Sequence, residues 1–304
     1  RIYNPNYKPL IGNKLMIVTE DNSWTESNET KLLKIEMEKN LYSFIEKYIG
    51  ENKKNYNPNS LESLNKALHW VRIANDSPLE SKFLSLWTSL EFLLTSHTNK
   101  KIPPILTYVP AFIGVYFPRR FILEVWFKIK KYIDNLPQRY YDNFGVYKDG
   151  NNYKVDLISF YKTIIDEGEQ FINNFESDDF IKRKIRWLQQ SLGDKKLLFK
   201  KINSIEEQVK YDMRRLYRLR NLLVHQAYVG EKELSHFTQR IIFYLKVVLN
   251  NISYGLDQNS THTILELLIS KKRTYDSLLN KLKNSNYPDL CIENVIYPVK
   301  ILCN

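Results

Sequence analysis

The chain has 304 residues, 43% of them hydrophobic, so it is long enough to bury one large core or two modest ones. Cys291 and Cys303 are its two cysteines, a pattern that fits neither a disulfide framework nor a zinc site, and we expect a reducing, cytoplasmic setting. The net charge is +11, and residues 181 to 220 alone contain 13 Lys or Arg against 4 Asp or Glu. Such clustering is typical of a protein that binds a polyanion, although a solvated lysine-rich surface explains the charge equally well.

The first part of the chain offers few structural signals. Glycine and proline are sparse, and Leu, Ile, Lys and Glu dominate the segments between them, so we predict an all-α fold. We assign residues 1 to 57 to an N-terminal extension or the end of a preceding domain, small and partly extended, with a strand-like run at 14 to 18 and a helix from about 25 to 49. Because the sequence starts at Arg1 and not at methionine, we expect it to be trimmed or to be the C-terminal part of a longer chain. A sensor domain or a regulatory partner is expected in the part that precedes Arg1.

A pair of helices is predicted next. Ser60 is a candidate cap for the first helix, and Ser77 with Glu80 forms a candidate capping box for the second, with Pro78 at its first position. Glu91 is the anomaly of the second helix, because a carboxylate on a buried helix needs a partner. That helix is apolar around most of its circumference, with Phe83, Leu84, Leu86, Trp87, Leu90, Phe92, Leu93 and Leu94.

Residues 103 to 200 are predicted to be an insertion. The uncharged run at 102 to 118 is short for a membrane span and contains four prolines, so we expect a buried, irregular connector and no membrane partner. A helix at 119 to 135 and another at about 155 to 175 follow. The acidic residues Glu176, Asp178 and Asp179 are better explained as helix caps than as a metal site.

The last helices begin with a second candidate capping box. Ser204 and Glu207 predict the start of a long helix, Gly230 separates it from the next one, and two shorter helices are expected before an ambiguous C-terminus. The main helical domain is therefore placed at 58 to 255 and a C-terminal helical extension at 256 to 304.

Most catalytic motifs are missing from the sequence. It contains no phosphate loop, no GxGxxG, no HExxH, no GxSxG and no paired CxxC. The residues Asp21, Glu29 and Lys31 match the pattern of metal-dependent nucleases only loosely, since the flanking strands are absent. The sequence therefore predicts neither a metal nor another cofactor. Four histidines, His69, His97, His236 and His262, are isolated and better explained as structural or exposed residues.

The helix after Ser204 combines two unlike faces. At about 100° per residue, one arc is apolar and predicts the core face, with Ile205, Val209, Met213, Leu216, Leu223 and Ala227. The opposite side carries a stripe of Arg214, Arg218, Asn221 and His225. A basic stripe that ends in a histidine suits a strand of phosphates, and we assign Lys210, Arg214, Arg215 and Arg218 as candidate residues that bind it.

Two stretches of the chain resemble a known family. The run LYRLRNLLVH resembles the R-x4-6-H motif of the HEPN superfamily, in which the residue after the arginine is commonly Asn, Asp or His. The stretch ALHWVRIANDSPLESKFLSLWTSLEFLL is similar to the upstream helix pair of the Apea-like branch, which is associated with anti-phage defence. The resemblance covers residues from about 60 to 250, with a poor match between 103 and 200.

The resemblance implies a HEPN-like helical bundle that dimerises with its motif helices face to face, and a metal-independent endoribonuclease acting in abortive infection. Carried over to this chain, Arg220 and His225 are catalytic and Asn221 is the polar third member. The residue types suit the chemistry. RNA carries its own nucleophile in the 2′-hydroxyl, a histidine exchanges protons near neutral pH, and an arginine stabilises the charged phosphorane.

One geometric difficulty accompanies this assignment. Arg220 and His225 are five residues apart, about 140° around a straight helix. Either the helix loosens after Leu223, or Arg220 reaches round the helix or across a dimer interface. Arg218 is the reserve candidate for the catalytic arginine. A charge-assisted bond from Glu91 is a candidate support for Arg220. The alternative to catalysis is an inactive HEPN-like bundle that binds nucleic acid, a nucleotide or a protein.

Overall fold

A computed structural model describes residues 57–284, apart from residues 97, 99–101, 151, 176–177, 227–229 and 260, and also two short strands near the N-terminus. These strands, β1 (Ile17–Val18) and β2 (Trp24–Thr25), pair antiparallel. The strand-like run predicted at 14 to 18 overlaps β1. The helix predicted at 25 to 49, the loose nuclease pattern, His97, both cysteines and the last twenty residues lie outside the described residues.

The described residues form nine α-helices and one further hairpin, so the all-α prediction is confirmed. The hairpin pairs β3 (Val146–Asp149) with β4 (Asn152–Val155) and was not predicted. Short 3-10 segments follow α3 at Lys130–Asn135 and α5 at Asn173–Phe175. The helices are α1 (Pro58–Asn75), α2 (Leu79–Thr95), α3 (Ile102–Ile129), α4 (Gln138–Phe144), α5 (Leu157–Ile172), α6 (Asp179–Leu192), α7 (Lys195–Gln226), α8 (Glu231–Gln258) and α9 (Ile264–Lys283).

Two hydrophobic clusters hold these helices together. The first joins α1, α2 and α8 to the beginning of α3, the later part of α7 and the beginning of α9, and it includes Trp87, Leu90, Met213 and Val248. The second joins the end of α3 to α4, α5, α6, the beginning of α7 and the end of α9, and it includes Phe121, Phe160, Ile185, Ile202 and Leu278. The region predicted as an insertion thus builds a core of its own, and α3, α7 and α9 pass through both cores.

Both predicted caps of the helix pair are corrected by the structure. Asn57 caps α1, because its side chain accepts hydrogen bonds from the backbone of Asn59 and Ser60. Ser60 is buried one turn further on, where its hydroxyl donates to the His262 carbonyl and accepts from the Ile264 N–H. The predicted capping box of α2 is not formed. Its serine, Ser77, instead donates back to the last turn of α1.

The proline-rich connector is also corrected, because the structure makes it part of α3. Two of its prolines lie in the first turn, where the backbone N–H groups have no acceptor within the helix. Pro110 and Pro118 lie inside, and an interior proline costs about 3 kcal/mol. Burial outweighs this cost, because α3 crosses both cores and each large side chain such as Phe112 or Trp126 contributes about 1.5–3 kcal/mol.

The predicted start of the long helix at Ser204 is wrong. Helix α7 starts at Lys195, and the Asp194 side chain accepts hydrogen bonds from the backbone N–H groups of its first turn. Leu198 and Ile202 are both buried and extend the apolar stripe upstream, which is why the helix does not stop before Ser204. Similarly, a single helix, α9, takes the place of the two shorter helices predicted after residue 258.

Two other expectations can be compared with the structure. Asp178 caps α6 by accepting from the Ile181 N–H, as predicted for that acidic segment. Among the described residues, no helix combines the length and the hydropathy needed to cross a lipid bilayer.

The contact between α3 and α9 gives a stability prediction. A methyl group at Gly114 collides with the ring of buried Tyr275, whose hydroxyl is held by Glu206 at 2.7 Å. We expect Gly114→Ala to lower the free energy of unfolding by about 1–3 kcal/mol despite the better helix propensity of alanine. Thermal unfolding measures the effect.

Gly168→Ala is the matched control. Its methyl meets only the side-chain end of Gln189, which can turn away by giving up a long hydrogen bond of 3.5 Å to the Ile165 carbonyl, so we expect a smaller loss of stability than for Gly114→Ala. Equal stability of the two variants would contradict the tight α3–α9 packing.

Candidate functional site

Helix α7 is held to α8 by a buried polar network. Asp212 lies on the inner side of α7, forms an ion pair with Arg240 and accepts a hydrogen bond from the Tyr244 hydroxyl at 2.7 Å. Burial raises the pKa of Tyr244, and the neighbouring Asp212 raises it further, so the hydroxyl keeps its proton and stays a donor. Removing one member of a buried pair of this kind costs about 3–5 kcal/mol, so the network fixes the rotation of α7 about its own axis.

A second polar contact holds α7 to α9. The Tyr275 hydroxyl donates to Glu206 at 2.7 Å, and the Lys210 ammonium lies 2.7 Å from the other oxygen of that carboxylate. Burial raises the pKa of Glu206, but the bonds from Lys210 and Tyr275 more than offset it, so the pKa ends below its ordinary value. Lys210 also lies 3.0 Å from Glu207. The Lys210 charge is therefore paired with two carboxylates and is not available to a ligand.

The two predicted faces of α7 are observed. Val209, Met213 and Leu216 are buried, Leu219 joins them, and Ile205 and Leu223 are half-buried against the same core. Arg214, Arg218 and His225 are exposed on the opposite side, and Asn221 is half-buried beside them. Ala227 lies outside the described residues.

The arginines of the exposed face differ in their partners. Arg215 lies 3.7 Å from Glu233, with its guanidinium 4.7 Å from the ring centre of Phe237 on α8, so part of its charge is used within the molecule. Arg214 and Arg218 have no carboxylate within 4.0 Å in the part of the chain that the structure describes. These two cations are available to an anionic ligand.

The two residues of the HEPN-like motif are not brought together within one chain. Helix α7 remains α-helical through Gln226, so it does not loosen after Leu223. Half-buried Arg220 donates a hydrogen bond to the Asn221 side chain at 3.2 Å, whereas His225 is exposed about 140° further round the helix. The two side chains therefore leave α7 in different directions.

Glu91 does not support Arg220 in the described part of the chain. Its Oε1 atom is buried without a hydrogen-bond partner among the described residues, and no ion pair joins it to Arg220 there. The Trp87 Nε1 atom, one turn earlier on α2, is likewise buried and has no described partner, and the Trp87 ring lies 6.0 Å from that of Tyr217 on α7. An unsatisfied buried acceptor costs about 1–3 kcal/mol, so Glu91 carries an energetic cost that no described residue relieves.

A second histidine and arginine lie in contact on this surface, and the sequence pattern did not predict their contact. His236 accepts a hydrogen bond at its Nε2 atom from Arg240 Nε at 3.1 Å, and Arg240 is in turn paired with Asp212. Burial lowers the pKa of His236, and the charges of Arg240 and Arg215 lower it further, against opposing contributions from Asp212 and Glu233. The i, i+4 spacing of His236 and Arg240 on one helix was the available signal.

The described residues contain no candidate metal centre. Across the described ranges, no three His, Cys, Asp or Glu side chains lie close enough together to hold a metal ion.

Comparison of the chain with protein-family models, with curated proteins and with solved structures finds no match. The resemblance to the HEPN superfamily therefore remains a prediction that depends on the residues quoted for it.

The His236 network predicts a pH dependence of stability. Because the folded state lowers the pKa of His236 below its unfolded value of about 6.5, the unfolded state binds the proton more tightly. The contribution of His236 to the free energy of unfolding is complete above a pH of about 6.5 and is lost as the pH falls below that value. Urea unfolding at about pH 7.5 and about pH 5.5 measures the difference.

His236→Gln is the informative variant, since the glutamine oxygen can still accept from Arg240. We expect a smaller loss of stability between the two pH values than in the wild type. An identical loss would show that His236 does not titrate with folding.

Proposed function

We propose that this chain is a metal-independent endoribonuclease of HEPN type. The observation that carries the proposal is the exposed face of α7, where Arg214 and Arg218 lie in line with His225 and pair with no carboxylate of the described residues. Cations in a row can bind successive phosphates of a nucleic acid, and a histidine at the end of the row then contacts the backbone of the same strand. The order of these side chains along α7 supports a role in binding phosphates and in proton transfer.

The proposed reaction uses the nucleophile of the RNA itself. His225 accepts the proton of a 2′-hydroxyl, whose oxygen attacks the adjacent phosphorus. The bond from phosphorus to the 5′-oxygen breaks, and this oxygen takes up a proton to leave as a hydroxyl. The Arg220 guanidinium stabilises the charge on the phosphorane, while the Asn221 oxygen accepts a hydrogen bond from Arg220 and orients it. The products are a 2′,3′-cyclic phosphate and a 5′-hydroxyl, with no cofactor.

A homodimer with composite active sites reconciles this chemistry with the geometry of α7. Because Arg220 and His225 leave one helix about 140° apart, the two groups reach one phosphate when each comes from a different copy. The last turn of α7 favours such a contact, since Leu222 is 43% and Val224 50% exposed. Glu91 is the proposed support for Arg220 in that assembly, and Arg218 is the alternative catalytic arginine.

The biological setting follows from the resemblance alone. We infer from it that the chain acts in the cytoplasm in anti-phage defence, by abortive infection, as the Apea-like branch is associated with such defence.

A second candidate function is an inactive HEPN-like module that binds nucleic acid or a protein. One observation favours it, because a single chain keeps Arg220 and His225 apart and hydrogen-bonds Arg220 to its neighbour. The two functions differ in one property, cleavage of RNA.

RNA cleavage by the purified protein in EDTA tests the proposal. We expect the wild type to cleave RNA and His225→Ala to lose at least about 100-fold in rate, as expected when a general acid–base group is removed. His225 is exposed, so the variant should unfold at the same temperature as the wild type.

The matched control is His69→Ala, which removes another exposed histidine, on α1. We expect it to cleave at the wild-type rate. Cleavage that EDTA abolishes would rule out the metal-independent mechanism, and a protein that binds RNA without cleaving it would favour the inactive module.

A further inference from the structure

The exposed face of α7 extends well beyond the HEPN-like motif. Because the helix is continuous from Lys195, its first turns are in phase with its last ones. Eight exposed positions follow one another along this helix at intervals of three, four or seven residues, so they lie on one face. They are Lys196, Lys200, Ser204, Glu207, Tyr211, Arg214, Arg218 and His225.

Positive charge occupies both ends of this face. The ammonium groups of Lys196 and Lys200, like the guanidinium groups of Arg214 and Arg218, have no carboxylate oxygen within 4.0 Å among the described residues. Glu207 is the acidic member of the row, and it shares the Lys210 ammonium, 3.0 Å away, with Glu206. The face thus presents two pairs of cations without a carboxylate partner among the described residues, separated by about four turns of helix.

An exposed aromatic ring lies between the two pairs of cations. The side chain of Tyr211 is 57% exposed, and the Arg215 guanidinium lies 5.6 Å from its ring centre. A large aromatic residue on an open helix face contributes little to the core of its own chain. Cationic rows interrupted by exposed aromatic rings are typical of surfaces that bind single-stranded nucleic acid, because the cations follow the phosphates and the bases stack on the rings.

The N-terminal end of the face gains further positive charge from α6. The ammonium groups of Lys184 and Lys201 lie 5.4 and 5.5 Å from the ring centre of half-buried Trp187. Both ammonium groups therefore lie over the same ring, and Lys201 is the neighbour of Lys200 on α7. This end of α7, furthest from His225, thus carries an additional lysine next to Lys200.

We propose that single-stranded RNA binds along the whole exposed face of α7, from Lys196 and Lys200 at one end to His225 at the other. The strand places phosphates on the two pairs of cations and stacks a base on Tyr211. It spans about 44 Å, from the rise of 1.5 Å per residue over the 29 residues between Lys196 and His225. The identity of the polymer rests on the proposed function, whereas the path along α7 does not.

Binding of labelled RNA to the His225→Ala protein tests this path without interference from cleavage. In that background, Lys196→Gln/Lys200→Gln should weaken binding of a single strand of about twelve nucleotides and reduce the slope of log K against log[salt] by about 1.4. A strand of about four nucleotides that is anchored near His225 should bind the parent and the double variant with equal affinity.

The control double variant is Lys148→Gln/Lys283→Gln, which removes the same charge from exposed lysines on β3 and α9. It should leave the salt slope unchanged. If the two double variants lose affinity equally, the effect is one of total charge and the path along α7 is wrong.

Tyr211 provides an independent test of the same path. Tyr211→Leu should weaken binding of single-stranded RNA about tenfold, and Tyr211→Phe should retain it, because the ring alone stacks with a base. A duplex of the same sequence should bind more weakly and be indifferent to both changes. Equal binding of duplex and single strand, or an unaffected Tyr211→Leu, would overturn the proposal.

These results are separable from those on catalysis. If wild-type protein cleaves RNA through His225 while the α7 variants bind like the parent, the path is wrong and the proposed function stands. If RNA follows the path but no cleavage occurs, the path stands and the enzymatic proposal fails.

Discussion

Helix α7 passes through both hydrophobic cores without a break, and the positions of all its functional side chains follow from that continuity. Turning the helix by one residue would expose Met213 and bury Arg218, which costs several kcal/mol in lost apolar burial and desolvated charge. The Asp212 network to α8 and the Glu206 contact to α9 oppose the same rotation. The exposed side chains of α7 are therefore held in position as firmly as its buried side chains.

This rigidity separates the arginine and the histidine of the motif. A regular helix cannot direct residues five apart to one phosphate, and Arg220 is further held by its bond to Asn221. Leu222 and Val224 are exposed in the last turn of α7. Exposed apolar side chains are unusual on an isolated chain, and a second copy of the chain facing α7 would cover both. The proposed active site is for this reason a property of the assembly.

Periodicity in the sequence was sufficient to predict the helices and the two faces of α7, because apolar spacing reports directly which side is buried. It failed where local signals competed with tertiary packing. Ser204 and the prolines of α3 resemble helix boundaries, yet the buried stripes that continue through them carried more free energy than the local preferences. The Asp212–Arg240–His236 network was missed because its members come from two helices, whose contact no single stretch reveals.

Mixing two inactive variants tests the composite site most directly. Arg220→Ala and His225→Ala protein, unfolded and refolded together, should recover about a quarter of the wild-type rate of RNA cleavage, since half of the dimers are mixed and each mixed dimer keeps one intact site. Mixing His225→Ala with an Arg220→Ala/His225→Ala double variant provides the control, because no intact site can form. No recovery in the first mixture, with wild-type protein recovering fully under the same treatment, would contradict a site shared between two α7 helices.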